Sequence, residues 1–270
     1  TWGAGRIFNP MDLFNPFAPT TVQRDYKVGE DMAYLQLPVG PVDGDLLYVP
    51  RRDPQTDDLD EGQASYAAKL LWPAFGLEAE VMGARHYGDG VLGLGGSGYL
   101  GGALWRINTT YTHVTPGSGK DDFVQAVVNL DYAWMWGGRN VYGLLEFYYN
   151  QLGRTGAYHQ ALSDEVLLDR LSRGELFTLG RYYVAGQLQV ELHPLLQFDA
   201  MGIVNLADPS GLLQPQLLWD LASDCQLIVG GQWNWGGDNS EFGGFNVSTA
   251  EGTARLAPAD QIYMWLSFYY

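Results

Sequence analysis

FVQAVVNLDYAW (123–134) alternates between apolar and polar side chains at every second position over most of its length. Val124 and Val128 fall on one face, whereas Gln125 and Asn129 fall on the other. Successive side chains of a β-strand point to opposite sides, so this pattern predicts a strand with one apolar and one polar face. Such a strand can separate lipid from a water-filled interior.

The same alternation recurs along most of the chain, for example in ALWRINTTYTH (103–113), RYYVAGQLQVEL (181–192) and CQLIVGGQWN (225–234). We therefore predict about fourteen strands. They lie near 2–8, 33–39, 45–50, 65–72, 77–86, 91–99, 103–114, 123–134, 141–150, 177–191, 197–205, 212–220, 225–234 and 261–270.

The connections between these strands alternate between short and long. Short connections lie at 73–76, 100–102, 136–140, 193–196 and 222–224, and longer or more polar ones at 53–63, 115–122, 151–176, 207–211 and 235–260. Strict alternation of this kind is typical of an up-and-down barrel with short turns at one end and long loops at the other. A soluble sandwich has Greek-key crossovers and no reason to sort its loops by parity.

Composition agrees with this fold and excludes several function classes. Only 17% of the residues are charged, against about 25% in an average soluble domain. The sequence contains no run of about 18 apolar residues, so no membrane-spanning helix is predicted. A formal net charge of −16 disfavours nucleic-acid binding, which needs a basic face, and the single Cys225 excludes a disulfide framework.

The predicted fold class is therefore all-β, an antiparallel up-and-down transmembrane β-barrel forming one domain over 1–270. A short helix is expected in the long loop, with Ser163 as its cap and Gly174 at its end. It either packs on the rim, which we favour, or folds into the pore. GLGGSG (93–98) predicts a glycine-rich strand, whose small residues let strands bend or let an interior plug approach closely.

The stretch QIYMWLSFYY (261–270) places five apolar residues on one face: Ile262, Met264, Leu266, Phe268 and Tyr270. This strand resembles the C-terminal signal of Gram-negative outer-membrane β-barrel proteins. The resemblance implies a bacterial outer-membrane location, recognition by the barrel-assembly machinery, and contact with lipid bilayer and lipopolysaccharide. WGAGRIFNPMDLFNP (2–16) looks like a motif of outer-membrane barrel families in which further strands precede it, so strands before Thr1 remain an open alternative.

The polar faces of the predicted strands supply the candidate pore-lining residues. They are Lys69, Glu78, Glu80, Arg106, Gln125, Asn129, Asp131, Glu146, Arg181, Gln187, Gln189, Glu191, Asp199 and Asp220, together with Gln216 and Gln232. Acids outnumber bases, which favours cations in a water-filled passage; alternatively, these charges pair with one another. Fourteen strands enclose more space than side chains fill, so we expect a passage unless a loop or a partner plugs it.

The function expected is passive diffusion of small polar solutes through this lumen, as in a porin. A structural barrel that sheathes a partner protein is the first alternative. An enzyme at the rim, near His86 or His113, is the second, although no spacing in the sequence assigns either histidine a serine or acid partner. We predict no enzyme activity, no cofactor and no metal site, and we leave a protein partner or a homo-oligomer open.

Overall fold

In the computed structural model, residues 2–21, 29, 31–52, 56–115, 121–249 and 252–269 are described. Thirteen of their strands form one antiparallel sheet in which each strand pairs with its neighbour along the chain. They are β1 (Ala33–Val39), β2 (Val42–Val49), β3 (Ser65–Ala74), β4 (Leu77–His86), β5 (Asp89–Leu100), β6 (Ala103–His113), β7 (Phe123–Trp136), β8 (Arg139–Asn150), β9 (Tyr182–His193), β10 (Leu196–Asn205), β11 (Ser210–Ala222), β12 (Cys225–Trp235) and β15 (Gln261–Phe268).

The all-β class and the consecutive antiparallel pairing are confirmed. An additional hairpin, β13 (Phe245–Thr249) with β14 (Gly252–Leu256), lies within the connection from β12 to β15 and was not predicted. Among the described strands, no pairing joins β1 to β15. Each of these two strands therefore has one edge without a described neighbour.

The predicted strand over 2–8 is wrong. Residues 2–21, which we call the inner segment, contain no strand, and Gly3 has a φ of +80°, far from the extended region. Trp2, Ile7 and Phe8 are all buried. The apolar residues that suggested a strand are instead spaced to pack on one face of the sheet.

That face, the inner face, is buried and mostly polar, while the opposite outer face is exposed and mostly apolar. On β7, Gln125 and Asn129 are buried, whereas Val128 and Leu130 are each 43% exposed. The apolar outer face extends across the sheet through Leu92, Leu94, Ile107, Leu130, Leu145, Leu188, Leu217, Val229, Ile262, Met264 and Phe268. An exposed apolar surface of this extent is typical of a face that contacts a membrane or another protein.

The two ends of the sheet differ in their connections. At one end, the short-turn end, every connection has two residues: 40–41, 75–76, 101–102, 137–138, 194–195 and 223–224. At the loop end the connections are 50–64, 87–88, 114–122, 151–181, 206–209 and 236–260. The strict alternation therefore fails only at 87–88, where Tyr87 and Gly88 both have positive φ, as a tight hairpin turn requires.

The inner segment packs on the sheet through two apolar clusters. Phe8 stacks on Tyr148 with ring centroids 4.5 Å apart and planes at 5°. Met11 is 0% exposed and lies against Gly93, where an added Cβ would be 3.0 Å from the methionine Cε. The predicted role of the glycine-rich strand in letting an interior segment approach closely is thus confirmed.

The sheet curves around this segment. Glu78 of β4 and Gln189 of β9 line one cavity of about 760 Å³ together with Arg6 of the inner segment. Strands that are five positions apart in the sheet therefore face the same interior space.

The helix α1 (Glu165–Ser172) lies at the loop end, as predicted, after a 3₁₀ helix at Tyr158–Ser163. Asp164 rather than Ser163 caps it, by accepting from the Leu167 N–H at 3.2 Å. Val166 packs with Val114 and Phe123 at the ends of β6 and β7, which agrees with the rim placement. Of the described helices, none is long and apolar enough to cross a membrane.

Candidate functional site

Glu146 anchors the inner segment to the sheet. Its carboxylate accepts from the backbone N–H groups of Arg6, Ile7 and Phe8 at 2.8, 3.1 and 2.7 Å. The glutamate is 1% exposed, so these three bonds replace water around a buried charge. Bonds of this kind to an ionised acceptor are about twice as strong as bonds between neutral groups.

Two asparagines continue the anchor across neighbouring strands. Asn129 Nδ2 donates to Glu146 Oε2 and to the Ala4 carbonyl, both at 3.1 Å. Asn108 Oδ1 accepts from the Ala4 N–H, and Asn108 Nδ2 donates to Glu80. The inner segment therefore completes a polar network that spans β4, β6, β7 and β8.

Two basic side chains of the inner face pair within the chain. Arg106 donates to Asp131 and, at 3.0 Å, to Asn129 Oδ1. Lys69 Nζ lies 3.1 Å from Asp45 Oδ2. These candidate pore-lining charges are therefore satisfied by intrachain partners, in line with the alternative of mutual pairing, whereas Glu78 accepts only from Ser97 among the described bonds.

The structure places nearly all the predicted pore-lining residues on the inner face, in three groups. One group contacts the inner segment or its network: Glu80, Arg106, Asn129, Asp131 and Glu146. A second group faces open interior space: Glu78, Gln187, Gln189, Glu191, Asp199 and Asp220. The third is satisfied by strand neighbours, with Lys69 bound to Asp45 and Gln125 donating to the Tyr148 hydroxyl at 2.6 Å.

Arg181 is the exception among these residues. It precedes β9, which begins at Tyr182, and its Nε donates to the Gly153 carbonyl at 2.9 Å in the long loop. The predicted start of this strand at 177 is therefore too early, because residues 177–181 bind the loop. Arg181 binds the loop and does not line the interior.

Amides are the most numerous polar side chains in the open interior space toward the short-turn end, which is also lined by Glu191, His193, Asp199 and Asp220. Two connected cavities, of about 830 and 250 Å³, share Gln189, Gln197, Leu218 and Gln226. We call this space the amide cavity. Among its described lining residues there is no lysine or arginine.

At the loop end, buried polar contacts tie the connections to the strands. Glu241 reaches from the connection 236–260 and accepts from the Tyr183 hydroxyl at 2.6 Å, Asn205 Nδ2 at 2.7 Å and the Leu179 N–H at 2.6 Å. Burial raises the pKa of Glu241 despite these donors. The loop is therefore tied to β9 and β10 by a buried carboxylate.

The helix adds a second tie at this end. Arg170 of α1 binds Asp89 at the start of β5 and Glu175 at 3.2 Å. Burial lowers the pKa of Arg170, but the two carboxylates outweigh it and raise the pKa. Arg170 thus remains charged and links the loop to the rim.

One cluster of chemically active groups escaped the sequence interpretation. Ser65 Oγ lies 2.8 Å from His86 Nδ1, and His86 Nε2 lies 3.4 Å from Glu175 Oε1. A serine, an imidazole and a carboxylate are the components of a hydrolytic triad. However, Ser65 and His86 are 0% and 2% exposed, and the Phe14 ring packs edge-on against the imidazole with ring centroids 5.5 Å apart. The cluster therefore lies beneath the inner segment, where it links β3 and β4 to the long loop.

His113, the other candidate histidine, lies at the exposed end of β6. Its Nδ1 is 2.9 Å from Asp122 Oδ2. The Tyr111 hydroxyl, His113 and the Val114 N–H lower the pKa of Asp122 to about 2. Within the described residues, no group of three histidine, cysteine or acidic side chains is placed to hold a metal ion.

The proposed assembly signal is an edge strand. Ile262, Met264 and Phe268 are 80%, 75% and 63% exposed on the outer face, and β15 pairs with β12 in the register Cys225 to Phe268. Leu266 lies on the same face, whereas Tyr270 falls outside the described residues. The alternation inferred from the sequence holds over the described part of this strand.

No family model, curated protein or solved structure matches this chain.

Proposed function

We propose that this chain is a β-barrel of the bacterial outer membrane that conducts small polar solutes through an interior passage narrowed by the inner segment. The observation that carries the proposal is the contrast between the two faces of the sheet. Thirteen strands present apolar side chains outward, and polar side chains and open cavities inward. A bilayer requires this arrangement of a spanning sheet.

Closure of the barrel is part of the proposal. A spanning sheet cannot leave strand edges exposed to hydrocarbon, because each unpaired backbone group costs several kcal/mol there. The free edges of β1 and β15 therefore pair with each other or with additional strands. Lipid and lipopolysaccharide then cover the outer face, and the barrel-assembly machinery recognises the last strand.

The inner segment makes the passage selective by size. The segment is bound to Glu146 and Asn129 on the inner face, while the amide cavity remains open toward the short-turn end. Solute transport therefore requires either a narrow path beside the segment or its displacement. In either case, solute flux should be slower than through a barrel of the same strand number without an inner segment.

Reconstitution into liposomes tests the proposal. Vesicles containing the protein should swell in isosmotic solutions of small polar solutes, and swelling should slow as solute size increases. The folded protein should also migrate differently on a gel before and after heating. Protein that stays dispersed without detergent and leaves vesicles impermeable would contradict the proposal.

A further inference from the structure

One row of inner-face side chains crosses the sheet beside the amide cavity. The strand register aligns Tyr142 with Gln189, Gln189 with Asp199, Asp199 with Gln216, and Gly230 with Tyr263. Gly230 also pairs with Gln216. The row thus begins and ends with a tyrosine and has amides and one acid between them.

Gly230 allows the second tyrosine to take its place. A Cβ at this position would lie 2.6 Å from the Tyr263 hydroxyl. The hydroxyl instead donates to Gln216 Oε1 at 3.2 Å. The glycine therefore lets an aromatic ring lie over the sheet at the end of the amide row.

Two amides of the cavity have unused hydrogen-bonding capacity. Two other amides of the cavity are already engaged: Gln187 donates to Asp199 at 2.8 Å, and Gln226 donates to Asp220 at 2.9 Å. The side chains of Gln189 and Gln197, both half-buried and facing the cavity, make no such bond to another described residue. Each amide offers two donor hydrogens and an acceptor oxygen, so the cavity presents donors and acceptors together.

We infer that the amide cavity binds a neutral polyhydroxylated solute, a saccharide, on its way through the barrel. The inference rests on the proposed function and specifies its solute class. A hydroxyl group both donates and accepts hydrogen bonds, and so does an amide side chain. A site of one charge sign matches hydroxyls less well, because cationic side chains only donate and carboxylates only accept. The volume of about 830 Å³ lies within the range of about 300–1,000 Å³ found for small-molecule sites.

The charges of the lining residues argue against the two other solute classes, anions and cations. Anions find no lysine or arginine among the described lining residues. Cations find Glu191, Asp199 and Asp220, but each of these carboxylates already accepts from an amide side chain. The groups left free are neutral amides and aromatic rings, which suit the hydroxyl and C–H surfaces of a sugar.

Titration calorimetry of the full chain with maltose tests this inference independently of transport. The detergent should carry a polyoxyethylene headgroup, because a sugar headgroup would compete for the site. Wild type should bind maltose more tightly than choline, the cationic probe. Replacing both free amides, Gln189→Leu with Gln197→Leu, should weaken maltose binding about tenfold or more, because hydroxyls lose their partners.

Gln160→Leu provides the matched control, because Gln160 is exposed in the 3₁₀ helix at the loop end. It should bind maltose as wild type does. Equal affinity of the double variant and wild type, no maltose binding by wild type, or preference for choline would each overturn the inference. Unchanged detergent solubility and heat-dependent mobility would show that the double variant is folded.

A conductance measurement separates this inference from the function beneath it. If maltose reduces the single-channel current of wild type but not of the double variant, both hold. A channel whose current maltose leaves unchanged, and which binds no maltose in calorimetry, overturns the inference alone. Maltose binding by a protein that never conducts supports the site and contradicts the channel.

Discussion

Glu146 accepts three consecutive N–H groups from residues that lie 138 to 140 positions earlier in the chain. A buried carboxylate is tolerated only when its lone pairs are satisfied. Glu146 therefore fixes the position of the inner segment, and the N–H groups of the segment replace the water that the carboxylate would otherwise bind.

Replacing Glu146 by Gln should destabilise the protein by about 1–3 kcal/mol, because charge-assisted bonds become neutral and one acceptor becomes a donor. Urea unfolding in detergent or lipid measures this change. Glu78→Gln is the matched control, since Glu78 is exposed on the same face and its carboxylate accepts only from Ser97 among the bonds described, at 3.3 Å. Equal unfolding of the two variants would show that the anchor contributes nothing.

Asp122 gives a prediction about pH. Its pKa is lowered from 3.8 to about 2, so its contribution to the rim is fully present above the ordinary value and is lost as the pH falls through about 2. The Val114 amide, which donates to Asp122 Oδ1 at 3.0 Å, should stay protected down to about pH 4. Its protection should then decrease between about pH 4 and 2.

Hydrogen exchange, corrected for the intrinsic rate at each pH, measures this protection. Asp122→Asn should remove the dependence, because the amide oxygen does not titrate. Protection in that variant that still declines over the same interval would assign the effect to another group.

The glycine-rich strand is the element that makes room for the interior network. An added Cβ at Gly95 would lie 2.1 Å from Asn108 Nδ2 and 2.3 Å from Glu80 Oε1. Gly95→Ala should therefore displace this pair and cost about 1–3 kcal/mol, as overpacking of a filled core does. Gly83→Ala on β4 is the control, since a Cβ there meets nothing within 4 Å.

Thermal unfolding of the two alanine variants checks this prediction. Gly95→Ala should unfold at a lower temperature than Gly83→Ala. The opposite order would mean that the interior relaxes around the new methyl group and that the network is not tightly packed.

The last strand is the element on which we expect assembly to depend. Deleting Phe268 to Tyr270 shortens β15 at the end where Cys225 pairs with Phe268, and removes the aromatic residues of the signal. The deletion should abolish insertion rather than alter transport. The amount of protein in outer-membrane fractions measures it, and wild-type levels would refute the assignment.

Local patterns predicted most strands because each depends on alternation that is visible in ten residues. β7 and β8 follow the predicted 123–134 and 141–150 within two residues at each end. Gly174 ends the loop helix with a φ of +70°, as its residue type indicates. These features depend on residues that are adjacent in sequence.

The inner segment and its contacts depend on distant residues, and the sequence does not show them. WGAGRIF has apolar residues that fit a strand, and only the partners of Arg6 to Phe8 reveal otherwise. The Ser65–His86–Glu175 cluster likewise joins positions 21 and 89 residues apart. Strand register brings the first pair together, and loop packing brings the third residue.

At the scale of the whole molecule, the inner segment and the two faces of the sheet together account for the proposed transport. In the proposed channel, the apolar outer face contacts lipid, the polar inner face lines the passage, and the inner segment bound to Glu146 narrows that passage. Loosening that bond should therefore widen the passage without altering the outer face. This expectation distinguishes a channel that the inner segment narrows from a barrel that serves only as a scaffold.

Single-channel recording of wild type and Glu146→Gln in planar bilayers tests this claim most directly. We expect small discrete steps from wild type and larger or more frequent steps from Glu146→Gln, with Glu61→Gln, at an exposed position of the connection 50–64, resembling wild type. Silent bilayers for all three proteins, despite correct insertion, would contradict the account.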